Sequence, residues 1–375
     1  MLLHHDQSEE KGMKKKIIFF LIISIIVAYF GRVEKEILDE LEIATSAGFD
    51  YKGDQKVEAT AVFPRINPDK TITNETLSTT ANLSKEALRE INQKSHKPIE
   101  NGKLEVAVYN EKLARHGIED FIDTFHRDPS IGSRLILAVV DGSSKKILEK
   151  SYGEFDTGTY LQKLLEHNMT HGIIPTSNFH LYLSAFYARG MDPILPLLEL
   201  NGDNINIKGL ALFKGPKMVM ELTEEKLFTF KSLYEELRLA GVKLKTKENN
   251  ETEYFSIQAI NSKKKFKIRN VYTTPEINIH LKVTGSIREY SGGNVDSSTI
   301  KKAEKLLKKK ISKESAEMIK RFQKKRIDPL GLGEQVRSRT RHWDEKKWEE
   351  QYKNAKINVK VEVIITEIGV VDGLS

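Results

Sequence analysis

The sequence predicts an α+β protein with more than one domain, in which antiparallel or mixed β-sheets pack with helices, including one long basic amphipathic helix. Segments that alternate apolar and polar residues, as half-buried strands do, occur in both halves of the 375-residue chain. Segments with apolar residues at helical spacing lie between them, without a regular strand–helix repeat or an internal duplication. The chain contains no cysteine, so its cores form without disulfides.

The first element is an apolar stretch, residues 17–30, which begins at Ile17, ends at Phe30 and follows Lys14, Lys15 and Lys16. A lysine cluster before an apolar core is typical of an export signal, and the positive-inside rule leaves those lysines in the cytosol. The stretch is shorter than the roughly 20 residues that cross a bilayer as a helix. We therefore expect residues 1–31 to be a leader with a signal or anchor segment. The rest of the chain is expected on the extracytoplasmic side, associated with the membrane.

Residues 32–203 are predicted to form the first α+β module, which is long enough to contain two subdomains. Alternation predicts strands at residues 55–66, 103–109 and 134–140, and an extended piece at 193–200. Helical spacing predicts helices at residues 34–41, from Asn82 or Ser84 onward, and at 111–126, 161–165 and 179–187. The Thr- and Asn-rich residues 71–80 predict a loop.

The turn signal Asn201-Gly202-Asp203-Asn204 predicts a domain boundary, with residues 204–375 as the second α+β module. A hairpin is predicted at residues 205–222, followed by a helix that begins at Thr223. The remaining predicted strands are at 253–260, 264–271, 277–290 and 357–368. A long helix is predicted at 297–327, and a short helix that carries Trp343, Trp348 and Tyr352 is predicted after residues 328–333.

The long helix has an apolar stripe on one side and many lysines on the other. Six of these lysines are so closely spaced that they cannot all be paired locally: Lys301, Lys302, Lys305, Lys308, Lys309 and Lys310. This face is a candidate surface for anionic lipid head groups or for an acidic partner subunit. A solvated helix face explains the same pattern, and the sequence leaves both interpretations open.

Several segments resemble a known family in order and spacing. Residues 206–214, with Gly209 and Phe213, resemble the opening of the C-terminal domain of spore germination nutrient-receptor C subunits, the Ger(x)C family. Residues 328–333, which begin at Asp328, resemble that family's closing signature, and so do the later positions Trp343, Trp348, Tyr352 and Gly369. Weaker matches at residues 40–50 and 113–129 extend the similarity over nearly all of residues 31–371.

The resemblance implies a non-catalytic subunit of a nutrient germinant receptor on the outer face of the spore inner membrane. It implies membrane-embedded A and B subunits as partners, and a structural role for the motif residues just named. Members of the family are lipoproteins, and Gly31 matches the residue before their lipid-modified cysteine. Arg32 stands at the lipidation position itself. We expect an uncleaved anchor segment in place of the lipid, and a defective copy remains the alternative.

No arrangement of residues typical of catalysis is visible. Gly-x-Ser-x-Gly and a phosphate-binding glycine loop are missing, and cysteine chemistry is impossible. His167 and His171 lie one helical turn apart, but Asn168 stands where a zinc protease has its glutamate. We expect no enzymatic activity, no metal and no cofactor. The net charge of +7 also suits nucleic acid, yet no nucleic-acid signature accompanies it, so we expect no such partner.

Trp343, Trp348 and Tyr352 allow two interpretations, a binding platform for carbohydrate or peptide and a set of rings that dock on the terminal sheet. The sequence favours docking. Two other functions remain alternatives for the whole chain. An extracytoplasmic solute-binding protein would need a cleft with convergent polar groups, and a cell-wall enzyme would need a buried acid/base pair. No small-molecule ligand is identified from these residues.

Overall fold

The structure is a computed structural model that describes residues 16–25, 40–248 and 251–366. Residues 16–25 are helical, and their large apolar side chains are exposed, from 40% at Ile23 to 70% at Phe20. Among the described helices, none is both long enough and apolar enough to cross a membrane. Residues 1–41 form a separate unit. The elements that follow belong to the unit of residues 42–375 and are numbered along the chain.

The strands are β1 Glu42–Ile43, β2 Ser46–Gly53, β3 Lys56–Ile66, β4 Ile72–Ala81, β5 Ile99–Glu100, β6 Val106–Asn110, β7 Ile136–Asp141, β8 Ile194–Asn201, β9 Asn204–Lys214, β10 Lys217–Thr223, β11 Ala240–Glu248, β12 Glu251–Arg269, β13 Glu276–Tyr290 and β14 Lys356–Thr366. The helices are α1 Ser84–Lys94, α2 Glu111–His116, α3 Glu119–Arg127, α4 Ser144–Leu148, α5 Thr157–Thr170, α6 Phe179–Tyr187, α7 Leu227–Tyr234, α8 Ser297–Lys325, α9 Leu332–Arg337 and α10 Glu345–Tyr352. A 3₁₀ turn, Glu224–Lys226, precedes α7.

Two large sheets organise these elements. The eight-stranded sheet has the order β10-β9-β8-β7-β6-β2-β3-β4, with parallel pairing from β8 to β2 and antiparallel pairing at both ends. The four-stranded sheet has the order β11-β12-β13-β14, and only its β13–β14 pair is parallel. Strands β1 and β5 form a short parallel pair. The predicted α+β class with mixed sheets is confirmed.

Strands β8 and β9 are neighbours in the eight-stranded sheet, and their register closes at the pair Asn201 and Asn204. The predicted domain boundary at residues 203/204 falls in the turn between them. Strands β9 and β10 therefore complete a sheet that the preceding residues begin. The existence of two separate folding modules stays a prediction.

Apolar side chains form a core on each face of the eight-stranded sheet. Val108 of β6 faces the cluster that also contains Leu307 and Phe322 of α8. Its neighbour Tyr109 faces the opposite cluster, where its ring stacks on Phe49 with centroids 5.4 Å apart. Successive residues of a strand point to opposite faces, so β6 contributes to both cores.

Three predicted elements are wrong in detail. Residues 71–80 form strand β4 and not a loop, because β-branched side chains suit a pleated sheet and pair along β3. The helix predicted at 111–126 is two helices, broken at Gly117, whose φ of 133° is outside the helical range. The strands predicted at 253–260 and 264–271 are one strand, β12, with bulges near Ser256 and Ala259.

Candidate functional site

A cavity of about 930 Å³ opens where three parts of the chain meet. These parts are the loop before β8, the turn between β9 and β10, and the segment from the end of α8 to α10. Its volume is in the range of small-molecule sites. Its lining includes Gly190, Asp192, Lys214, Asp328, Trp348, Glu349 and Tyr352.

Asp328 and Asp192 join two of these segments. The Asp328 N–H donates to Asp192 Oδ2 at 2.7 Å, and the Asp192 N–H donates to the Asp328 carbonyl oxygen at 3.0 Å. The Asp328 side chain accepts from the Leu332 N–H at 3.0 Å and from the Gly333 N–H at 2.6 Å. Both carboxylate oxygens are thus used by backbone donors at the start of α9. We call this arrangement the aspartate clamp.

Burial dominates the electrostatics of the clamp. Asp328 is only 4% exposed, and burial raises its pKa to about 7 against the opposing effect of the two backbone N–H donors. Burial also raises the pKa of Asp192, opposed first by the Lys214 ammonium. Lys214 Nζ lies 3.7 Å from Asp192 Oδ1 and 3.0 Å from Glu349 Oε1. A buried carboxyl with a pKa near 7 is common at catalytic sites, but here its oxygens hold backbone groups in place.

Two residues beside the clamp, Gly190 and Gly333, must be glycine because their backbones are in close contact. A Cβ atom on Gly333 would lie 2.5 Å from Trp348 Nε1 and 2.7 Å from Gly190 Cα. A Cβ atom on Gly190 would lie 2.5 Å from the Gly333 carbonyl carbon. The glycines let the two segments approach, and across this contact the Glu334 N–H donates to the Gly190 carbonyl oxygen at 3.1 Å.

The aromatic residues of the motif lie mainly in the core. Trp348 and Tyr352 are 4% and 3% exposed, and their ring centroids are 5.3 Å apart. Phe213 is fully buried, edge-on to Tyr182 at 5.8 Å. Trp343 precedes α10, is half-buried, and its indole N–H is buried without a hydrogen-bond partner in the described part of the chain. Docking of the rings therefore fits Trp348 and Tyr352 better than a binding platform does.

The lysines predicted on the long helix divide into two groups in α8. Lys302 pairs with Glu253, and Lys310 Nζ lies 2.6 Å from Glu314 Oε1. The other four are exposed and make no ion pair among the described residues: Lys301, Lys305, Lys308 and Lys309. These four form the unpaired α8 face. Like charges held together without counterions mark a surface that favours an anionic partner.

Other predicted positions are less informative. Lys16 and Ile17 lie in the exposed helix of residues 16–25. Gly31, Arg32, Gly369 and the positions Lys14, Lys15 and Phe30 lie outside the described residues. His167 and His171 are exposed, with ring centroids 4.6 Å apart, and no metal-binding group occurs among the described residues.

Sequence reasoning missed Asp192 and Glu349. The Asp328–Asp192 hydrogen bond joins residues 136 positions apart. No local pattern encodes a contact of that separation, and Asp192-Pro193 has the composition of an ordinary loop. Asp328 itself was found, through the family motif.

The raised pKa of Asp328 predicts a pH-dependent stability. The folded-state pKa of about 7 exceeds the ordinary value of 3.8, so the folded chain binds the extra proton between these values. The contribution of Asp328 to stability is complete below pH 4 and is lost as the pH rises through about 7. Urea unfolding of the full chain in mild detergent, followed by tryptophan fluorescence, measures this.

The comparison uses Asp328→Asn, which does not titrate. The wild-type advantage over this variant is expected to shrink from pH 5 to pH 8, by up to about 1.4 kcal/mol per pKa unit. Asp296→Asn is the matched control. Asp296 caps α8 and its pKa is lowered to about 2, so its effect is expected to stay constant over that range. A constant difference for Asp328→Asn would contradict the prediction.

Known protein families and relatives match this chain over most of its length. The family model for the spore germination protein N-terminal domain matches residues 34–200, and the model for the spore germination B3/GerAC-like C-terminal domain matches residues 208–369. Spore germination protein GerQC of Bacillus cereus is 31% identical over 349 residues, covering 92% of this chain and 97% of that protein. Putative spore germination protein YfkR of Bacillus subtilis is 24% identical and covers 76% of this chain and 77% of its own length.

The fold also matches a solved structure. The crystal structure of the GerBC protein superposes with a TM-score of 0.53 at 16% identity, over 86% of this chain and 97% of that one. The class is thus an α+β protein with two large mixed sheets. The chain belongs to the GerAC-like family of spore germination proteins.

Proposed function

We propose that this chain is the non-catalytic C subunit of a nutrient germinant receptor and acts by protein contact when spore germination begins. The observation that carries the proposal is the similarity to GerQC over 97% of that protein's length, so the likeness is to a whole spore germination protein. The aspartate clamp supports a non-catalytic role, because its carboxylate oxygens are used by backbone donors. The proposed partners are the membrane-embedded A and B subunits.

The proposed location is the extracytoplasmic side of a membrane, on the outer face of the spore inner membrane. The support is the helix of residues 16–25, whose apolar side chains are exposed on all sides. A helix that is apolar all round needs a non-aqueous environment. With Arg32 at the family's lipidation position, the uncleaved segment serves as the anchor. Lys16 and Arg32 can extend their charges to the two interfaces of a short span.

The unpaired α8 face is the proposed contact surface for the partner subunits. Four exposed lysines without counterions fit an acidic surface. The test is co-purification of the A and B subunits with a tagged copy of the chain from spore membranes. Reversing the charges in Lys301→Glu, Lys305→Glu, Lys308→Glu and Lys309→Glu together is expected to reduce recovery of the partners by about tenfold or more.

The matched control reverses four other exposed cations that make no ion pair in the described ranges: Lys56, Lys85, Arg89 and Lys112. The total change in charge is the same, so a general electrostatic effect would appear in both variants. The control is expected to recover the partners as the wild type does. Full recovery with the α8 variant would refute this contact surface, and failure to recover partners with the wild type would refute the receptor role.

A further inference from the structure

A second basic surface lies on the four-stranded sheet, away from α8. In the part where β12, β13 and β14 run side by side, the outward side chains are seven lysines or arginines, one histidine, two glutamates and two asparagines. They are Lys263, Lys265, Lys267, Arg269, Glu276, Asn278, His280, Lys282, Lys356, Asn358, Lys360 and Glu362. We call this surface the basic sheet face.

Register places basic residues directly opposite one another. Lys265 is paired with His280, and His280 is paired with Lys360, so three basic residues form one row across three strands. None of the three makes a hydrogen bond or ion pair through its side chain within the described residues. Lys263 is likewise opposite Lys282, and like charges in directly opposite positions oppose strand pairing. In the next row Lys282 bonds Glu362 at 2.8 Å, so the strands can carry paired charges where they have them.

The two faces of this sheet differ in what covers them. Leu281 and Val361 point to the inner face and are buried in the core cluster that contains the α8 residue Leu307. The inward lysine, Lys264, donates to the carbonyl oxygen of Leu233 at 2.7 Å, at the end of α7. The outward lysines on either side of it, Lys263 and Lys265, are exposed and make no side-chain hydrogen bond or ion pair within the described residues. The inner face is packed, and the basic sheet face is open.

We infer that the basic sheet face lies against an anionic lipid surface. An extended row of cations on a sheet matches a plane of phosphate head groups in sign and in area. Anionic lipid is favoured over other polyanions as the partner of this face, because the exposed apolar helix of residues 16–25 can insert into lipid and tether the chain to it. A tether converts weak electrostatic contact into an intramolecular event at high effective concentration. The inference rests on the membrane anchor proposed above and does not require receptor assembly.

One consequence concerns the long helix. Helix α8 packs on the inner side of the same sheet, and Glu304 of α8 accepts from the Ile365 N–H of β14 at 2.9 Å. With the basic sheet face on the lipid, the unpaired α8 face is directed away from it. The two basic surfaces then have different partners: lipid for the sheet, and protein for α8.

The experiment places the full chain in lipid nanodiscs and measures how near the sheet comes to the head groups. The chain has no cysteine, so Asn358→Cys gives a single labelling site on the basic sheet face. Ala316→Cys, on the exposed side of α8, is the matched control site. Each is labelled with a fluorophore that a quencher on the lipid head group extinguishes. The nanodiscs contain phosphatidylcholine alone or with phosphatidylglycerol.

Quenching at residue 358 is expected to be about fivefold or more stronger in the anionic nanodiscs than in the neutral ones. It is expected to fall at about 1 M salt, where the Debye length is near 3 Å. The variant Lys263→Glu, Lys265→Glu, Lys360→Glu is expected to lose the quenching, whereas Lys305→Glu, Lys308→Glu, Lys309→Glu keeps it. The label at residue 316 is expected to stay unquenched throughout.

Equal quenching at residue 358 in neutral and anionic nanodiscs, or none in either, would overturn the inference. So would protection of residue 358 by an added acidic protein or oligonucleotide in place of anionic lipid. Circular dichroism and thermal melting show whether the sheet variant is folded. Its stability is expected to be at least that of the wild type, since Lys263→Glu replaces a lysine that lies opposite Lys282. Because the nanodiscs contain no A or B subunit, a failure here is distinct from a failure of the receptor proposal.

Discussion

Asp328→Ala is expected to lower the free energy of unfolding by about 4 kcal/mol. The change removes the carboxylate that accepts from the Leu332 and Gly333 N–H groups, and it leaves both donors buried without partners. Each unsatisfied buried donor costs roughly 1–3 kcal/mol, and the space left by the side chain adds to the loss. Urea unfolding of the full chain in mild detergent measures the effect. Trp348 lines the cavity beside the clamp, and Trp343 lines a neighbouring cavity with Arg189 and Glu334. These two residues provide the fluorescence signal.

Asp328→Asn is the comparison that separates shape from hydrogen bonding. The amide fills the same space and keeps one acceptor oxygen, so about half of the loss is expected. If Asp328→Ala changed the unfolding free energy by less than about 1 kcal/mol, the Asp328 carboxylate would not hold the start of α9 in place.

Gly209→Ala is expected to cost about 3 kcal/mol, the upper part of the range for inserting one carbon into a packed site. A Cβ atom at Gly209 would lie 2.0 Å from the Leu222 carbonyl oxygen, so β9 and β10 cannot keep their present separation. The strands pair around this point, with Gly209 opposite Thr223. A rise in proteolysis within residues 204–223 is expected together with the loss of stability, because local opening exposes the hairpin.

The matched control is Gly241→Ala in β11. A Cβ atom there would meet nothing within 4 Å, and the residue is also in a strand. The backbone change is the same, so the expected effect is within about 1 kcal/mol of zero. Equal destabilisation at both sites would mean that the loss does not come from the contact with Leu222, because the entropic effect of Gly→Ala alone is stabilising.

The sequence predicts the elements with strong periodicity well. Helix α8 has an apolar stripe along its length, and the predicted residues 297–327 agree with the observed Ser297–Lys325 to within two residues. Strand β4 was missed for a physical reason: its threonines and asparagine are typical of loops, and only pairing with β3 makes them a strand. Local composition fails where a partner from elsewhere in the chain decides the structure.

The same limit applies to the charged residues. The pairing of Lys310 with Glu314 follows from their i, i+4 spacing and can be seen in the sequence. The pairing of Lys302 with Glu253 joins residues 49 positions apart and cannot. Likewise, the lysines of the basic sheet face are unremarkable in sequence, since their juxtaposition depends on a parallel register between β13 and β14.

The turn at residues 201–204 has a consequence for genetic dissection of the protein. A truncation at this turn would separate β8 from β9. The backbone donors and acceptors of β8 that pair with β9 would then be unpaired, along an apolar edge from Ile194 to Leu198. Such edges recruit strands from other molecules, so the first fragment would self-associate, and the second would carry a hairpin without a sheet to join. Co-expressed halves could recombine by strand donation. Truncations meant to isolate one half should therefore end after β10, beyond Thr223, where the sheet is complete.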